Sequence, residues 1–328
     1  MPESHANLPK IIRRSVVLSD TDSTCFSVDD WLMWYFGKGN IFNDRSDAIG
    51  GAVAFITTQS ISHLLALLSA NINVPRDKLH KLAMKNEYLW HVHLPTNVAK
   101  HYAALTVMQE GNVFDKPEME IKGVHLKNSA APKDLIAEAH GMMREIVTTV
   151  ANNGKVELLK YLRFVRDVEQ KIMISLDAGS VVYLKQSKIK ESEAYTKDEQ
   201  DSPYQHYRMW TEAWSSKYGN IEPPPFSVVK IPTIMDNKTQ LKSWLERIED
   251  KVLSDNLAKW LTKHKKEALN TVYLSLPYVQ AYGIPDEVKM VMNKRKVVLD
   301  LTLVYRIILE SLGFYIKEDW LISDYKFA

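Results

Sequence analysis

Cysteine is nearly absent from the sequence, which contains only Cys25. A single thiol excludes an internal disulfide framework and any cysteine-rich zinc site, and it indicates a reducing compartment. Glycine and proline are also scarce, with 12 and 13 residues in a chain of 328. Their scarcity excludes collagen-like and low-complexity proteins. What is left is an ordinary globular chain, 45% hydrophobic, with enough residues for one large or two medium domains.

A predominant charge and a long hydrophobic run are missing as well. The 42 basic and 40 acidic residues give a formal net charge of +2, so no global field attracts the chain to nucleic acid or membrane. Binding to any polyanion would therefore depend on where individual lysines lie. The most apolar run, around residues 64–68, is far shorter than the roughly 20 residues that cross a bilayer. Because the first five residues are polar, we expect a cytoplasmic protein without a membrane partner.

Strand patterns and one helix dominate residues 1–128. Runs of β-prone residues at 15–18 and 24–28 flank a short acidic segment and predict a hairpin. A second hairpin is predicted from residues 102–108 and 118–126. Between them, residues at steps of three and four predict an amphipathic helix over 47–71, packed through the face that these residues share: Ile49, Val53, Ile56, Ser60, Leu64 and Leu67.

The pattern changes after residue 128, where we place a domain boundary. Apolar residues at helical spacing predict helices over 132–150, 158–172, 241–251, 257–269 and 301–312. The polar segment 185–202 is predicted to be a loop. The predicted class is therefore α+β, with strands and a packed helix first and a mostly helical region second.

Two aspartates at the tip of the first hairpin are the most chemically informative residues. Asp20 and Asp22 are separated by one residue, so their carboxylates point to the same face of a strand. Such hard oxygen ligands suit Mg²⁺, which takes one or two carboxylates together with phosphate oxygens and water. The alternative is an Asx-type turn with solvated acids, and these residues alone leave both interpretations open.

Several segments resemble family B DNA polymerases and follow that family's order along the chain. Ser19-Asp20-Thr21-Asp22-Ser23 resembles motif C, and Lys100-His101-Tyr102 resembles the Lys-x-Tyr motif. Residues 120–124 and 127–132 resemble the connection from palm to thumb. Residues 219–223 and 283–285 resemble thumb segments of the tailed-phage branch, and a viral source would place the protein in the host cytoplasm.

The resemblance implies a partial palm over residues 1–128 and a thumb over 129–328. It implies that Asp22 ligates Mg²⁺ and that Asp20 supports the site, for two-metal transfer of nucleotides from deoxynucleoside triphosphates to a DNA primer. The palm would consist of antiparallel strands with a packed helix, and the thumb would be mostly helical.

The same resemblance assigns residues that bind primer-template DNA. Lys100 and Tyr102 would contact the primer end, and Lys122 and Lys127 would hold the duplex backbone. Lysine provides a point charge for phosphate, and tyrosine has an apolar ring with a polar tip. The family often has a longer basic run before the tyrosine, where this chain has Ala99 and His101 around Lys100.

Two parts that the family's active site requires are not found in the sequence. Neither a motif A aspartate nor a helix with Lys-x-x-x-Asn-x-x-Tyr-Gly occurs in the 19 residues before Asp20 or elsewhere. Lys217-Tyr218-Gly219 is similar, but it lies in the predicted thumb. We therefore expect an N-terminal polymerase subunit that supplies motif A, fingers and exonuclease, and an exposed apolar patch where it binds. The alternative is a non-catalytic accessory module that holds DNA or a clamp.

Basic and aromatic residues outside these motifs have two interpretations each. Lysines in the predicted thumb either form a solvated helix face or contact phosphates. Arg13 and Arg14 are expected to lie either near DNA or near the partner chain. Tyr325 and Phe327 resemble the aromatic pair of a peptide that binds a sliding clamp; the alternative is a frayed end. The lysines concerned are Lys259, Lys263, Lys265 and Lys266.

Histidine and cysteine provide the remaining candidates. His91 and His93 have the spacing of two ligands on one strand face, with His101 nearby, but half-exposed strand histidines are the favoured interpretation because no cysteine or fitting acid accompanies them. Cys25 is predicted to be a small buried core residue rather than a nucleophile.

Overall fold

A computed structural model describes residues 15–19, 22–39, 41–123, 126–127, 131–191, 195 and 203–326. Helices form 51% and strands 18% of the chain, and the sheets are antiparallel, which confirms the α+β class. Chain contacts divide the protein into two compact units. The first comprises Met1–Pro95, Tyr102–Lys122 and Met143–Val156, and the second comprises Thr96–His101, Gly123–Met142 and Glu157–Ala328. The division into palm and thumb after residue 128 stays a prediction.

The first unit contains the two predicted hairpins and the predicted long helix. Strand β1 pairs antiparallel with β2, and β3, β4 and β5 form a second antiparallel sheet in that order, so β3 extends the predicted second hairpin. The elements are β1 (Val16–Ser19), β2 (Thr24–Phe26), α1 (Asp29–Phe36), α2 (Asp44–Asn71), a 3₁₀ turn (Arg76–Lys78), β3 (Tyr88–Pro95), β4 (Tyr102–Gln109) and β5 (Asn112–Lys122).

Helix α2 begins three residues before the predicted start because Asn43 caps it. The Asn43 side chain accepts hydrogen bonds from the backbone N–H groups of Arg45 and Ser46, both at 3.0 Å. In return, the Ser46 hydroxyl accepts from the Asn43 backbone N–H at 2.9 Å, which completes a capping box.

The face through which α2 packs is not the predicted one. Its buried residues are small, and at Gly50 an added Cβ would lie only 3.2 Å from Leu89 Cδ1 on β3. Ile56 and Leu64, which the prediction placed in the core, are 63% and 54% exposed. Periodicity identifies an apolar face but not what lies opposite it, and the small side chains allow the closer approach to the sheet. The buried residues of α2 are Ser46, Gly50, Ala54, Ala66 and Ser69.

Helix α2 is also long and apolar enough to cross a membrane by length and composition alone. Its uninterrupted apolar run is short, as expected, but the whole helix of 28 residues carries few charges. Only 11% of its most apolar window is buried in the described chain. Most of this apolar window is therefore not buried by the described part of the chain.

The second unit is rich in helices and contains a sheet that was not predicted. Strands β6, β7 and β8 form an antiparallel sheet in that order. The elements are α3 (Lys133–Ala151, which ends in the first unit), α4 (Leu158–Asp177), β6 (Lys185–Ile189), α5 (Pro203–Met209), a π-helical turn (Trp210–Trp214), α6 (Ser215–Tyr218), β7 (Phe226–Pro232), α7 (Lys238–Arg247), α8 (Lys251–Lys263), β8 (Thr271–Ser275), α9 (Leu276–Tyr282), α10 (Asp286–Lys289), α11 (Lys294–Ser311) and a 3₁₀ turn (Ile322–Asp324).

Strand β6 corrects the prediction of a loop over 185–202. Its residues are mostly polar and show no apolar alternation, so only pairing with β7 makes this segment a strand. Most of the remaining predicted loop lies outside the described residues.

The core of the second unit contains a network around a buried acid. Glu287, only 4% exposed, accepts hydrogen bonds from Lys217 Nζ at 2.6 Å and from the Tyr218 hydroxyl. Trp244 Nε1 donates to the Glu287 backbone carbonyl at 2.8 Å. Burial, followed by the hydrogen bond to Glu287, raises the pKa of Tyr218. The Lys217-Tyr218-Gly219 segment therefore has a structural role in this fold.

Candidate active site

The first hairpin places Asp22 on the surface. Asp22 lies in the bend between β1 and β2 and is exposed, while Asp20 and Thr21 lie outside the described residues. At the base of the bend, Ser19 pairs with Thr24, and their hydroxyl oxygens are 3.1 Å apart. The predicted hairpin is thus confirmed, and the Asp22 carboxylate is accessible to a ligand from solvent.

A magnesium site fits Asp22 but needs further ligands. Mg²⁺ keeps several waters and is held through one or two carboxylates together with substrate phosphates, so an exposed carboxylate at a hairpin tip has suitable chemistry. Among the residues that the structure describes, no group of three or more His, Cys, Asp or Glu side chains could hold a metal ion.

His91 and His93, considered as zinc ligands, contact different neighbours. His91 Nε2 lies 2.6 Å from Asp47 Oδ1 on α2, whereas His93 stacks on Trp90 with ring centroids 4.9 Å apart. The register of β3 shifts between Trp90 and Val92, and such a bulge re-aims the side chains that follow it. Burial lowers the pKa of His93. These contacts favour structural roles for both histidines.

Cys25 lies on β2 and is half-buried, which is less than the core position predicted for it. Burial raises the pKa of its thiol. A raised pKa disfavours the thiolate that a nucleophile requires, in agreement with the structural interpretation.

Tyr102 and Lys122 are brought together by the second sheet. They are direct partners on β4 and β5, and Lys122 Nζ lies 5.9 Å from the centre of the Tyr102 ring. Tyr102 is only 7% exposed, and its hydroxyl donates to Glu120 Oε1 at 3.1 Å. Burial and the nearby Glu120 carboxylate raise the pKa of Tyr102, so the phenol stays a hydrogen-bond donor.

Lys100 and Lys127 are exposed and lie in segments of the second unit. Lys100 has a left-handed φ of 61° in a loop that Thr96 closes by donating its backbone N–H to the His101 carbonyl at 3.1 Å. Gly123 packs under this loop with φ +122°, and an added Cβ would lie 2.3 Å from His101 Cδ2. The loop therefore needs glycine at position 123.

A model of the divergent family B DNA polymerases matches residues 1–326. The chain belongs to this family. None of the curated proteins matches the sequence. The family match spans the hairpin with Asp22, the Tyr102 sheet and the helical second unit, so the polymerase resemblance is confirmed over essentially the whole chain.

Four lysines lie on α8 and directly after it in this family B polymerase chain, and they are only partly available to a ligand. Lys263 Nζ lies 2.7 Å from Glu212 Oε2, which neutralises part of its charge. Lys259 and Lys265 are exposed and Lys266 is half-buried. Arg13 and Arg14 lie outside the described residues.

The C-terminal segment of the polymerase chain is attached to its own second unit up to Tyr325. Both oxygens of buried Glu169 accept backbone N–H groups, from Ile322 and Ser323, at 2.8 Å. The Tyr325 hydroxyl accepts from the Lys317 N–H at 2.9 Å, and its ring packs against Phe314 and Trp320. Phe327 lies outside the described residues.

Sequence reasoning missed Glu120, Gly123 and Glu169 as positioning residues. Glu120 and Gly123 stand in the segment that resembles the palm-to-thumb connection, so their position was a usable signal. Glu169 lies in a helix among apolar residues, and nothing in the local sequence reveals its distant backbone partners.

Proposed function

We propose that the chain is the C-terminal subunit of a split family B DNA polymerase, active with an N-terminal subunit. Residues 1–128 would form part of the palm and residues 129–328 the thumb. The N-terminal subunit would supply motif A, the fingers and the exonuclease. A cytoplasmic location, in the host cell if the source is viral, belongs to the same proposal, as does a sliding clamp bound through Tyr325 and Phe327.

The observation that carries this proposal is the apolar face of α2, defined by Ile56, Leu64, Leu67 and Leu68. These side chains recur at helical spacing and are between 49% and 63% exposed. Several large apolar side chains exposed on one helix face mark an interaction site. Further exposed large apolar side chains in the same unit include Val16, Val17, Leu18, Trp31, Met33, Trp34, Tyr35, Phe55 and Ile72.

The location of these side chains supports a partner that completes the metal site. Exposed Val16, Val17 and Leu18 lie on β1, the strand that precedes the bend with Asp22. A strand with exposed apolar side chains is a suitable surface for further palm elements. Those elements would bring the second set of carboxylates that the described residues do not provide.

In the assembled enzyme, Asp22 would ligate Mg²⁺ and Asp20 would support it from the same hairpin. Mg²⁺ bound there would activate the primer 3′-hydroxyl and stabilise the leaving pyrophosphate. Lys100, Lys122 and Lys127 would position primer-template DNA through phosphate contacts. Tyr102, because it is buried against Glu120, would act mainly by holding this part of the sheet in place.

Primer extension with the co-expressed N-terminal subunit tests the proposal. Asp22→Ala is expected to reduce the extension rate by at least a hundredfold while duplex binding is retained, because a metal ligand is lost. Asp115→Ala, which removes an exposed aspartate on β5, is the matched control and should keep the wild-type rate. An unchanged rate in Asp22→Ala would refute the catalytic role.

The second candidate is a non-catalytic module that holds DNA or a clamp. It is favoured by the incomplete set of metal ligands in the described residues. Complexes with the N-terminal subunit distinguish the two, because only the catalytic proposal predicts extension that requires both Mg²⁺ and Asp22.

A further inference from the structure

A basic cleft in the second unit lies between the β6–β7–β8 sheet and the beginning of α11. Its lining includes the side chains of Lys185 on β6, Lys230 on β7, Lys296 on α11 and one acid, Asp300. Three cations against one carboxylate leave a local charge of +2. The small net charge of the whole chain, +2, does not reveal this local concentration of charge.

The arrangement of these lysines is unfavourable without a ligand. Lys185 and Lys230 are direct cross-strand partners, and like charges in that position destabilise a sheet. Lys296 lies in the first turn of α11, where the helix dipole disfavours a cation. An anion in the cleft would relieve both repulsions.

The single acid neutralises the cleft poorly. Asp300 lies 3.8 Å from Lys185 Nζ and 3.6 Å from Lys296 Nζ, so one carboxylate is shared by two cations at long distance. No ion pair joins Lys230 to a carboxylate of the described chain. By contrast, Lys294 and Arg295, the other bases of this turn, each have a close acid of their own in Asp177 and Asp324.

The size of the cleft suits a phosphate group. Its volume is about 60 Å³, and one water requires roughly 10–15 Å³ by the same measure. The cleft therefore has space for several oxygen-sized atoms. Thr271, on β8 opposite Pro232, adds a hydroxyl donor to the lining.

We propose that Lys185, Lys230 and Lys296 form a binding site for a phosphate group. The phosphate belongs either to a nucleic-acid backbone or to a free anion such as pyrophosphate. The nucleic-acid alternative rests on the proposed function. It would add a DNA contact outside the polymerase motifs. A lysine ammonium is an appropriate point charge for either source.

Thermal unfolding of the full chain tests the site without DNA or a partner chain. At constant ionic strength, replacing chloride by phosphate or pyrophosphate near ten times its Kd should raise the wild-type Tm by roughly 2–4 °C. Lys230→Gln should have an equal or higher Tm in chloride, because repulsion by Lys185 is removed, and should lose at least half of the anion-dependent rise. Lys242→Gln, which alters an exposed lysine paired with Glu246, should keep the full rise.

Duplex binding distinguishes the two sources. For a labelled 20-base-pair duplex, the slope of log Kd against log salt should fall by about 0.9 in Lys230→Gln and in Lys296→Gln, and remain unchanged in Lys242→Gln. An anion-dependent Tm rise with unchanged duplex slopes supports the site with a free anion as its ligand. Absence of both the Tm rise and the slope change overturns the proposal. If the wild-type chain shows the Tm rise but fails to bind duplex even together with the N-terminal subunit, the proposed function is contradicted and the phosphate site still stands.

Discussion

Two long apolar helices, α2 in the first unit and α11 in the second, use their large side chains in opposite ways. Helix α11 buries its large residues, including Leu301, Tyr305 and Ile308, each at most 1% exposed. The Tyr305 hydroxyl also donates to the Leu135 carbonyl at 2.6 Å. Helix α2 buries small residues and leaves its larger ones, such as Leu64, in solvent. Apolar periodicity is therefore not evidence that a helix packs within its own chain.

The difference shows which unit supplies its own core. The second unit surrounds α11 with its own elements and holds its C-terminal segment through Glu169, so it has the contacts of an independent domain. The first unit packs Gly50 of α2 against Leu89 of β3, while the large apolar side chains of another face of α2 are exposed. We expect the first unit to gain stability from a partner and the second unit to need none.

The largest expected difference in stability is between a leucine-to-alanine substitution in α11 and the same substitution in α2. Leu301→Ala should lower the free energy of unfolding by about 2–5 kcal/mol, because it removes a buried side chain and leaves a cavity. Leu64→Ala in the isolated chain should change it by less than about 0.5 kcal/mol, because that side chain is already exposed. Urea unfolding measures both. Similar losses in the two variants would contradict the comparison.

The sequence could predict elements better than it could predict their surroundings. The hairpins and α2 follow from local periodicity, and the motif around Asp22 and the Lys100–Tyr102 motif led to the family. The burial of Tyr102 and the strand character of residues 185–189 depend on pairing with distant segments. Local patterns carry no information about such partners, so these features required the structure.

Alanine substitutions at two glycines, one in each unit, are expected to have a smaller effect on the free energy of unfolding. Gly123→Ala in the second unit should cost about 2–3 kcal/mol of unfolding free energy, since it combines left-handed strain with a clash against His101. Gly111→Ala in the first unit has a similar strain at φ +85° but no heavy atom within 4 Å of its Cβ, so about 1 kcal/mol is expected. The difference between the two variants measures the clash. Equal losses would show that the loop of residues 96–101 yields freely.

The pH dependence of unfolding tests how the second unit holds its C-terminal segment. The hydrogen bond from Arg295 lowers the pKa of Asp324 below its usual range. A lowered carboxylate pKa stabilises the fold above the unfolded pKa, and that stability is lost as the pH falls through the folded pKa. The free energy of unfolding of Asp324→Asn should therefore be about 1 kcal/mol lower than that of the wild type at pH 7. The two free energies should become similar near pH 3. A difference that stays constant with pH would exclude this ion pair as the cause.

Substitutions on the exposed apolar face of α2 are expected to have the smallest effect on the stability of the chain and the largest effect on its binding to a partner. Changing Ile56 and Leu64 together to lysine should alter the unfolding free energy of the isolated chain by less than about 0.5 kcal/mol, because both side chains are in solvent. The same pair should weaken binding to the proposed N-terminal subunit by at least a hundredfold, since two charges would be buried unpaired. Gln59→Lys, an exposed polar position on the same helix, is the control and should leave both quantities unchanged. A large loss of stability in the isolated double variant would mean that this face packs within its own chain. Unchanged binding would mean that the partner contacts another surface.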